Sequence, residues 1–594
     1  MKKNVIFFVI DSLSYERLTD INSRKTVPFF RRLMSENVSY SNMYSQAPYT
    51  EAALMGLICG ASTMNHNSYM MRYRDVPETF LETFAKNGYD VYQIMQPHIY
   101  PSSLERNLPN SYYNVGFDFN ALWSYRLSYF ADLNSKNLLN DRDYRELEDL
   151  LMDNFKGWIL FLQRMQKKDA SVSLILGNLT EYDVETIQDS VEVEFSKFKE
   201  QPKQYIIDLL NEGKSHALFK IPTLNQDRKV QDQELKKVFI ERYVPLFQEI
   251  ADKQKKCDVR LNGETVRVLC NALRNFIHFP TKENAKIIYR FLRYVKERRE
   301  PRLVMERISE QYDAYKSAPS VQKHMDHFFS WLDKRDNAQN PYLAYIHVDD
   351  IHNPEVFFTY DSENLEMLEE EMADAQAYVE GISSDYTGSL TYDLALQYMD
   401  KKLENFMRQI EDRGMLEDTV IYVTADHGFS FYNHPLRETV PNNFYKESYH
   451  VPFIIINNEL PCESISDYHS TMDIPATILS EAGLALPSHF NGKSALHSKR
   501  DYVTMEYMGG GCPDFYRRPI RYALRNSKIS LVYSVMLNDK FENGILEQYF
   551  DLDKDPLEQH NLVLKKKLLP RDIDVLLDPI RRRHDELREY YNVK

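Results

Sequence analysis

An aspartate and a histidine stand side by side just after an apolar segment of this sequence. The segment Thr419–Val423 is rich in β-branched residues, which predicts a buried strand, and Asp426-His427-Gly428 follows it two residues later. Open α/β sheets place their ligands at the carboxyl ends of the strands. A carboxylate beside an imidazole suits a divalent cation such as Zn²⁺ or Mn²⁺. We therefore expect Asp426 and His427 to bind a metal.

A second carboxylate, Asp11, ends the apolar run Val5–Ile10 near the start of the chain. This run predicts a first buried strand, so Asp11 should point into the same crevice as Asp426. The alternative is that Asp11 caps the N-terminus of a following helix.

A threonine is the candidate nucleophile. Thr50 precedes the apolar segment Ala52–Ile58 at the position of a helix N-cap. There its hydroxyl would face the free N–H groups and the positive dipole end of the helix, which favour an anion. A bound metal would favour the alkoxide further. The alternative is an ordinary threonine cap.

Polar residues also follow the predicted strand at 341–348. His352 could bind an anionic group or protonate a leaving oxygen. His347 is either a substrate contact or a histidine inside the strand. Asp349 and Asp350 could bind a second metal, although aspartates at such positions are more often turn residues.

Two further histidines follow Asp426 in the sequence. His434 lies in an Asn-His-Pro segment, and His450 comes just before the apolar segment Val451–Ile456, with Lys446 four residues earlier. We expect His450 and Lys446 to contact substrate. The alternative for His434 and His450 is a place in a loop or at the rim of the crevice.

The elements that must position these residues alternate between strand and helix patterns, which predicts an α/β fold with a mostly parallel sheet flanked by helices. We predict a catalytic core over residues 1–120 and 336–500, a helical insertion over 121–335, and a small C-terminal α+β subdomain over 501–594. The predicted strands are Asn4–Ile10, Asp90–Met95, 341–348, Val451–Ile456, Tyr502–Tyr507 and Lys528–Val535. The predicted helices are Val27–Glu36, Ala52–Ile58, Pro77–Lys86, Tyr144–Met165, Gln233–Lys253, Thr281–Arg299, Tyr392–Arg413 and Met472–Ala482.

Composition limits the class of protein. The chain has 594 residues, of which 43% are hydrophobic, so large folded cores can form. Its net charge of -15 argues against nucleic acid as the main partner. The five cysteines lack CxxC spacing and fit reduced thiols. No segment approaches the roughly 20 apolar residues of a transmembrane helix, so we expect a cytoplasmic protein without an integral membrane segment.

Taken in order, these motifs resemble the sulfatase family of the alkaline phosphatase superfamily. The resemblance rests on Asp11, Thr50 and Asp426-His427-Gly428, and it covers about residues 1–120 and 340–565. Later segments that are similar to the family are Tyr445–Phe453, Asp473–Leu479, Tyr549–Pro556 and Asn561-Leu562. The resemblance implies an alkaline-phosphatase-like sheet and a metal-dependent reaction at an ester.

The sequence departs from sulfatases proper at the nucleophile. These enzymes carry Cys or Ser in a C/S-x-P-S-R motif, which is oxidised to formylglycine, and Gln46–Thr50 stands in that region here. They also pair two aspartates after the first strand, whereas Ser12 follows Asp11 in this chain. These departures resemble the phosphoglycerol and phosphoethanolamine transferase branch.

By that resemblance, one metal would be bound by Asp11, Thr50, Asp426 and His427, Thr50 would be the nucleophile, and His352 and His434 would contact the phosphate. The metal would be Mn or Zn, with Mg or Ca as alternatives.

Three functions fit these residues. The first is a metal-dependent phosphoester hydrolase or phospho-group transferase that uses Thr50. The second is a sulfuric ester hydrolase that lacks formylglycine. The third is a catalytically silent binding protein on the same fold. The expected partner is a phosphorylated or sulfated small molecule or glycan, and the chain could form a homo-oligomer.

Overall fold

The structure is a computed structural model that describes most of the chain. The described residues are 2–20, 26–66, 76–95, 108, 110–113, 122–167, 181–221, 321–335, 339–352, 365–381, 389–429, 444–508, 514, 516–558, 560–563, 569–570 and 572–593, with scattered positions between 241 and 289.

The larger of two sheets positions the candidate site. It contains nine described strands in the order β4-β3-β5-β1-β6-β7-β2-β8, and β9 also pairs with β2. The strands are β1 (Asn4–Ile10), β2 (Val38–Tyr44), β3 (Asp90–Met95), β4 (Asn110–Tyr113), β5 (Tyr342–Val348), β6 (Thr419–Thr424), β7 (His450–Ile456), β8 (Glu463–Ile465) and β9 (His469–Ser470).

Most neighbouring strands of this sheet run parallel. The pairs β3–β4, β3–β5, β1–β5 and β1–β6 are parallel, whereas β7 runs antiparallel to both β6 and β2. The carboxyl ends of β1, β5 and β6 therefore meet at one edge of the sheet, and β7 begins at that edge. Strands β5, β6 and β7 are buried along their whole length, as expected for strands covered on both faces.

The described α-helices connect and flank the strands. They are α1 (Tyr15–Thr19), α2 (Pro28–Glu36), α3 (Thr50–Cys59), α4 (Phe80–Lys86), α5 (Ser128–Ser135), α6 (Asp141–Lys167), α7 (Glu181–Glu200), α8 (Pro202–Glu212), α9 (Val321–Asp333), α10 (Leu365–Glu380), α11 (Leu390–Asp412), α12 (Asp473–Glu481) and α13 (Ile573–Tyr590).

The described helices that the sequence predicted begin one to three residues away from their predicted starts, and two of them show why. Helix α4 begins at Phe80 rather than Pro77, because Thr79 and Glu82 form a capping box at its N-terminus. Helix α3 begins at Thr50, with Tyr49 as the N-cap, so the prediction that Thr50 itself is the cap was wrong by one residue. The Thr50 hydroxyl bonds to side chains of the candidate site instead.

A group of helices forms the described part of the insertion. Helices α5 to α8 share one core with the main sheet, and α6 contains the predicted segment Tyr144–Met165. A short π-helix, Trp123–Leu127, leads into α5. The predicted helices Gln233–Lys253 and Thr281–Arg299 lie mostly outside the described residues.

A second, antiparallel sheet lies near the C-terminus. Its strands are β10 (Val503–Tyr507), β11 (Ile520–Arg525), β12 (Ile529–Val535) and β13 (Ile545–Asp551), in that order. Helix α13 contributes Leu577, Ile580 and Leu587 to the core of this subdomain. The predicted fold is confirmed: a mixed, mostly parallel sheet flanked by helices, a helical insertion and a small α+β unit.

Over the part of the chain that the structure describes, no helix is both long enough and apolar enough to cross a bilayer.

Candidate active site and metal centre

Three neighbouring strands of the main sheet place the candidate residues together. Asp11 follows β1, Asp426 and His427 follow β6, and His347 and His352 lie in and after β5. The register aligns Ile10 with Val348 and Val9 with Thr424, so the three strands end at the same level. Residues that are more than 300 positions apart in the sequence thus meet at one edge.

The side chains form a compact cluster of potential metal ligands around Asp11. Ligand atoms of Asp11, His352 and His427 lie within 4.8 Å of one another, and so do those of Asp11, His347 and Asp426. His427 Nε2 lies 3.5 Å from Asp11 Oδ1 and 3.6 Å from Asp426 Oδ2. Carboxylate oxygens and imidazole nitrogens at such distances could share one divalent ion.

The hydrogen bonds of Asp426 leave one oxygen for a cation. Oδ1 accepts from the backbone N–H groups of His427 at 2.7 Å and Ser12 at 3.2 Å. Oδ2 is buried and accepts no hydrogen bond from any residue that the structure describes. A buried carboxylate oxygen without a donor is costly unless an ion binds it, so this arrangement fits a metal ligand.

His427 is held in the tautomer that metal binding requires. Its Nδ1 lies 2.7 Å from the carbonyl oxygen of Gly428, and this contact assigns the proton to Nδ1. The lone pair of Nε2 therefore points toward Asp11, Asp426 and Thr50. A backbone carbonyl that fixes the second ring nitrogen is a common support for a ligating histidine.

Directly after His427, at position 428, the loop has no room for a residue larger than glycine. The Gly428 N–H donates to the carbonyl of Ser448 at 3.0 Å. A Cβ added at Gly428 would lie 2.1 Å from the backbone oxygen of Glu447. Gly428 is therefore required by the close approach of two backbone segments, which holds His427 in place.

Thr50 lies at the N-terminus of α3 and reaches the same cluster. Its hydroxyl donates to Asp11 Oδ2 at 3.2 Å and lies 3.3 Å from His427 Nε2. Almost all of α3 is buried, so the helix is rigidly packed behind this hydroxyl. Thr50 is thus placed beside the potential metal ligands.

Ser12 links the parts of the site. Its hydroxyl donates to Asp11 Oδ1 at 2.8 Å and lies 3.1 Å from His352 Nδ1. Ser12 is fully buried and has a φ of 65°, a left-handed conformation that is uncommon for residues other than glycine. In this strained conformation the Ser12 N–H donates to Asp426 and the Ser12 hydroxyl donates to Asp11.

The charges of the site alter the pKa values of its side chains. Burial alone would raise the pKa of Asp11, but the imidazoles of His352, His427 and His347 outweigh it and hold the pKa well below its ordinary value. Burial lowers the pKa of His352, yet the Asp11 carboxylate at 2.9 Å reverses this and raises it to about 9. Burial and the charge of Asp11 raise the pKa of Asp349 to about 7.

The two aspartates after β5 have different surroundings. Asp350 Oδ1 accepts from the Val321 N–H at 2.8 Å and from the Tyr398 hydroxyl at 3.4 Å, so this side chain caps α9. Asp349 is close enough to Asp11 and His352 for their charges to act on it.

His450 and Lys446, which the sequence suggested as substrate contacts, both bind Glu16. His450 Nδ1 lies 3.1 Å from Glu16, its Nε2 lies 2.8 Å from the Ser41 carbonyl, and its side chain is 1% exposed. Lys446 Nζ lies 2.6 Å from Glu16. These contacts connect α1 to the start of β7. His347 Nδ1 lies 3.1 Å from the Tyr345 hydroxyl, and His434 lies outside the described residues.

Three residues of this region were missed by sequence reasoning. Ser12 and Glu51 each stand beside a predicted residue, so their positions alone could have suggested them. Glu16 belongs to no motif, and only the fold brings it to His450.

Comparison with known proteins gives a family match and several distant relatives. The sequence matches the family profile described as Sulfatase over residues 3–206 and 275–484. An arylsulfatase of Clostridium perfringens (strain 13 / Type A) is 28% identical over 208 residues, which cover 32% of this chain and 37% of that protein. Arylsulfatase K of Bos taurus is 26% identical over 193 residues, which cover 30% of this chain and 34% of that protein. The matched segments thus span only about a third of the length of these relatives.

One solved structure aligns with the whole chain at low sequence identity. A phosphonate monoester hydrolase from Silicibacter pomeroyi aligns with 100% of this chain and 96% of its own, with a TM-score of 0.48 and 13% identity.

Proposed function

This chain belongs to the sulfatase family, and from that membership we propose that it is a metal-dependent enzyme that cleaves or transfers a phosphoester group through Thr50. The observation that carries the proposal is the position of the Thr50 hydroxyl, 3.2 Å from Asp11 Oδ2 and 3.3 Å from His427 Nε2. A hydroxyl among potential metal ligands at a helix N-terminus is suited to act as a nucleophile.

The metal would be held by Asp11, Asp426 and His427, with Thr50 beside them. When bound, a divalent ion would lower the pKa of the Thr50 hydroxyl and polarise the ester. The two carboxylates and the imidazole nitrogen suit Mn²⁺ or Zn²⁺ better than Ca²⁺, which prefers oxygen ligands.

The chain's own residues then supply the chemistry. With a divalent ion bound, the Thr50 hydroxyl would lose its proton to solvent. Its Oγ, which lies 3.2 Å from Asp11 Oδ2, would attack phosphorus while the bond to the leaving oxygen breaks. His352, whose Nδ1 lies 2.9 Å from Asp11 Oδ1, is placed to give a proton to the leaving oxygen. Water or an acceptor hydroxyl then breaks the bond between Thr50 Oγ and phosphorus. His434 is a further candidate for contact with the phosphate.

The substrate class is a phosphorylated small molecule or glycan. Sulfate-ester hydrolysis is the second candidate, because the family membership and the two arylsulfatase relatives favour it. Against it, the segment Gln46–Thr50 contains neither a cysteine nor a serine that could be oxidised to formylglycine.

Metal content and turnover of p-nitrophenyl phosphate, bis-p-nitrophenyl phosphate and p-nitrophenyl sulfate test the proposal. We expect Thr50→Ala to lose roughly 10³-fold or more of the phosphoester activity while it still binds metal. Thr50→Ser should retain measurable activity, and phosphate should stay attached to Thr50 in trapped reactions.

Other results would replace the proposal. Full activity in Thr50→Ala would exclude this nucleophile, and turnover of the sulfate ester alone would favour the sulfatase reading. Bound metal without turnover of any ester would indicate a binding protein on this fold.

A further inference from the structure

Tyr392 is a buried side chain that bonds to the turn directly after Asp11. It is the third residue of α11, and 0% of it is exposed. Its hydroxyl donates to the backbone carbonyl of Ser12 at 2.8 Å and accepts the backbone N–H of Ser14 at 3.0 Å. One side chain therefore bonds to both ends of the segment 12–14, which we call the Ser12 turn.

The ring of Tyr392 contacts the second segment that carries potential metal ligands. This segment, residues 425–429, is called the His427 loop here. Tyr392 packs on Phe429, two residues after His427, with ring centroids 4.7 Å apart and an angle of 33° between the planes. Aromatic pairs at such distances contribute more than the area they bury. Tyr392 thus connects the Ser12 turn after β1 with the His427 loop after β6.

The conformation of the Ser12 turn determines where two carboxylates are held. Ser12 has a φ of 65°, and such a strained conformation persists only where the surrounding structure fixes it. In this conformation its N–H donates to Asp426 Oδ1 at 3.2 Å and its hydroxyl donates to Asp11 Oδ1 at 2.8 Å. If the Ser12 backbone relaxed, both donors would move away from these oxygens. A bond to the Ser12 carbonyl therefore acts on both carboxylates.

Helix α11 is a fixed support for Tyr392. The next residue, Asp393, accepts from Arg17 Nε at 2.9 Å, and both side chains are buried. Two turns further along, Asp400 accepts from the backbone N–H groups of Phe29 at 3.1 Å and Phe30 at 2.7 Å, at the start of α2. A side chain on an anchored helix can hold its neighbours more precisely than one on a loop.

We propose that Tyr392 is a positioning residue, which holds the Ser12 turn and the His427 loop at the separation that a divalent ion requires. It acts through its contacts with Ser12 and Phe429 and is not itself a metal ligand. That the ion serves an ester reaction rests on the proposed function. The competing explanation is that Tyr392 contributes only to the stability of the fold.

Calorimetric titration of the full-length, metal-depleted protein with Mn²⁺ tests this proposal. Tyr392→Phe removes the hydroxyl and keeps the ring. Residues that support metal ligands typically contribute about 10- to 100-fold to metal affinity, so we expect the Kd for Mn²⁺ to rise about tenfold, which corresponds to about 1.4 kcal/mol. Tyr533→Phe is the matched control and should bind Mn²⁺ like the unaltered protein. The Tyr533 hydroxyl is also buried and donates to a backbone carbonyl, that of Phe541 at 2.6 Å, but in the C-terminal subdomain.

A second variant tests the ring contact and also serves if Tyr392→Phe fails to fold. Phe429→Leu leaves the hydroxyl of Tyr392 in place and removes the aromatic pair, so we expect the Kd for Mn²⁺ to rise about threefold. Chemical denaturation of the metal-depleted variants measures their stability separately from metal binding.

Three results would overturn the proposal. The first is an unchanged Kd for Mn²⁺ in Tyr392→Phe together with a lower unfolding free energy, because Tyr392 would then support only the fold. If Tyr392→Phe does not fold, an unchanged Kd in Phe429→Leu has the same meaning. The second is an equal rise of the Kd in Tyr533→Phe, and the third is an unaltered protein that binds neither Mn²⁺ nor Zn²⁺.

The same measurements separate this inference from the proposed function. Mn²⁺ binding that depends on Tyr392, without turnover of any ester, would keep the inference and reject the proposed function. Ester turnover that depends on Thr50, with an unchanged Kd for Mn²⁺ in Tyr392→Phe, would keep the proposed function and reject the inference.

Discussion

Substitution of Gly428 by alanine gives a direct test of how the loop that carries His427 is held. The new Cβ would lie 2.1 Å from the backbone oxygen of Glu447 and 3.2 Å from the backbone carbon of Ser448. These are backbone atoms, so they cannot swing away as the end of a side chain could. The segment around Glu447 is itself fixed, because the Lys446 N–H donates to Glu558 at 2.9 Å.

The size of the effect follows from this distance. Real Cβ contacts essentially never fall below 3.0 Å, so the two segments must separate by 3.0 minus 2.1, or 0.9 Å. Metal–ligand distances tolerate deviations of about 0.2 Å, and a displacement of about 1 Å in an active site can lower the rate about 100-fold. Overpacking of this kind also costs about 1–3 kcal/mol of unfolding free energy.

We therefore expect Gly428→Ala to weaken metal binding and to lower kcat/KM about 100-fold. Calorimetric titration with Mn²⁺ measures the first effect even if no substrate is known, and p-nitrophenyl ester turnover measures the second. Gly381→Ala is the matched control, because Gly381 is exposed and its new Cβ would meet backbone oxygens at no less than 3.4 Å. Unchanged metal affinity in Gly428→Ala would refute the idea that this contact positions His427.

Two further predictions concern stability. Glu558→Gln leaves the buried Arg525 guanidinium without its carboxylate and should cost about 3–5 kcal/mol in chemical denaturation. Asp132→Asn, which breaks an exposed ion pair, should cost less than about 1 kcal/mol, and equal costs would contradict this view. Burial would raise the pKa of Glu16, but His450 and Lys446 outweigh it and lower the pKa below its ordinary value of 4.5. The unfolded chain therefore binds this proton more readily than the folded chain. Above pH 4.5 the protein with Glu16 should gain unfolding free energy relative to Glu16→Gln, and this gain should decrease as the pH falls below 4.5. Denaturation midpoints from pH 7 to pH 4 measure this gain, and Glu36→Gln, on the exposed face of α2, is the control. A difference between the unaltered protein and Glu16→Gln that stays constant at all pH values would show that the ion pairs are not responsible.

Seven of the thirteen described strands were predicted from the sequence, and six, including β2, were not. The bounds of Asn4–Ile10 and Asp90–Met95 were predicted as the structure has them, because each strand begins with a polar residue and continues as a largely apolar run. The start of α4 was placed too early, although Thr79 and Glu82 already carry the capping-box spacing.

The candidate site was predictable in part. Parallel strands bring Asp11 and Asp426 to one edge, and this rule can be applied without coordinates, whereas β2, the strand before Thr50, was not predicted. The contacts of His450 and Lys446 with Glu16 could not be foreseen, because Glu16 lies 434 residues before His450 and belongs to no motif.

The order of the strands also has a consequence for how the protein is made. Strand β1, near the start of the chain, pairs with β5 and β6, which begin at Tyr342 and Thr419. At about 5–20 residues per second, the 415 residues from Asp11 to Asp426 take roughly 20–80 s to synthesise. Throughout that time the apolar segment that forms β1 has been synthesised but its neighbouring strands β5 and β6 have not both been. An apolar strand with unpaired edges can pair with strands of other chains. The first strand therefore stays without its final partners until nearly three quarters of the protein has been translated, and the cluster of Asp11, Asp426 and His427 can form only after that.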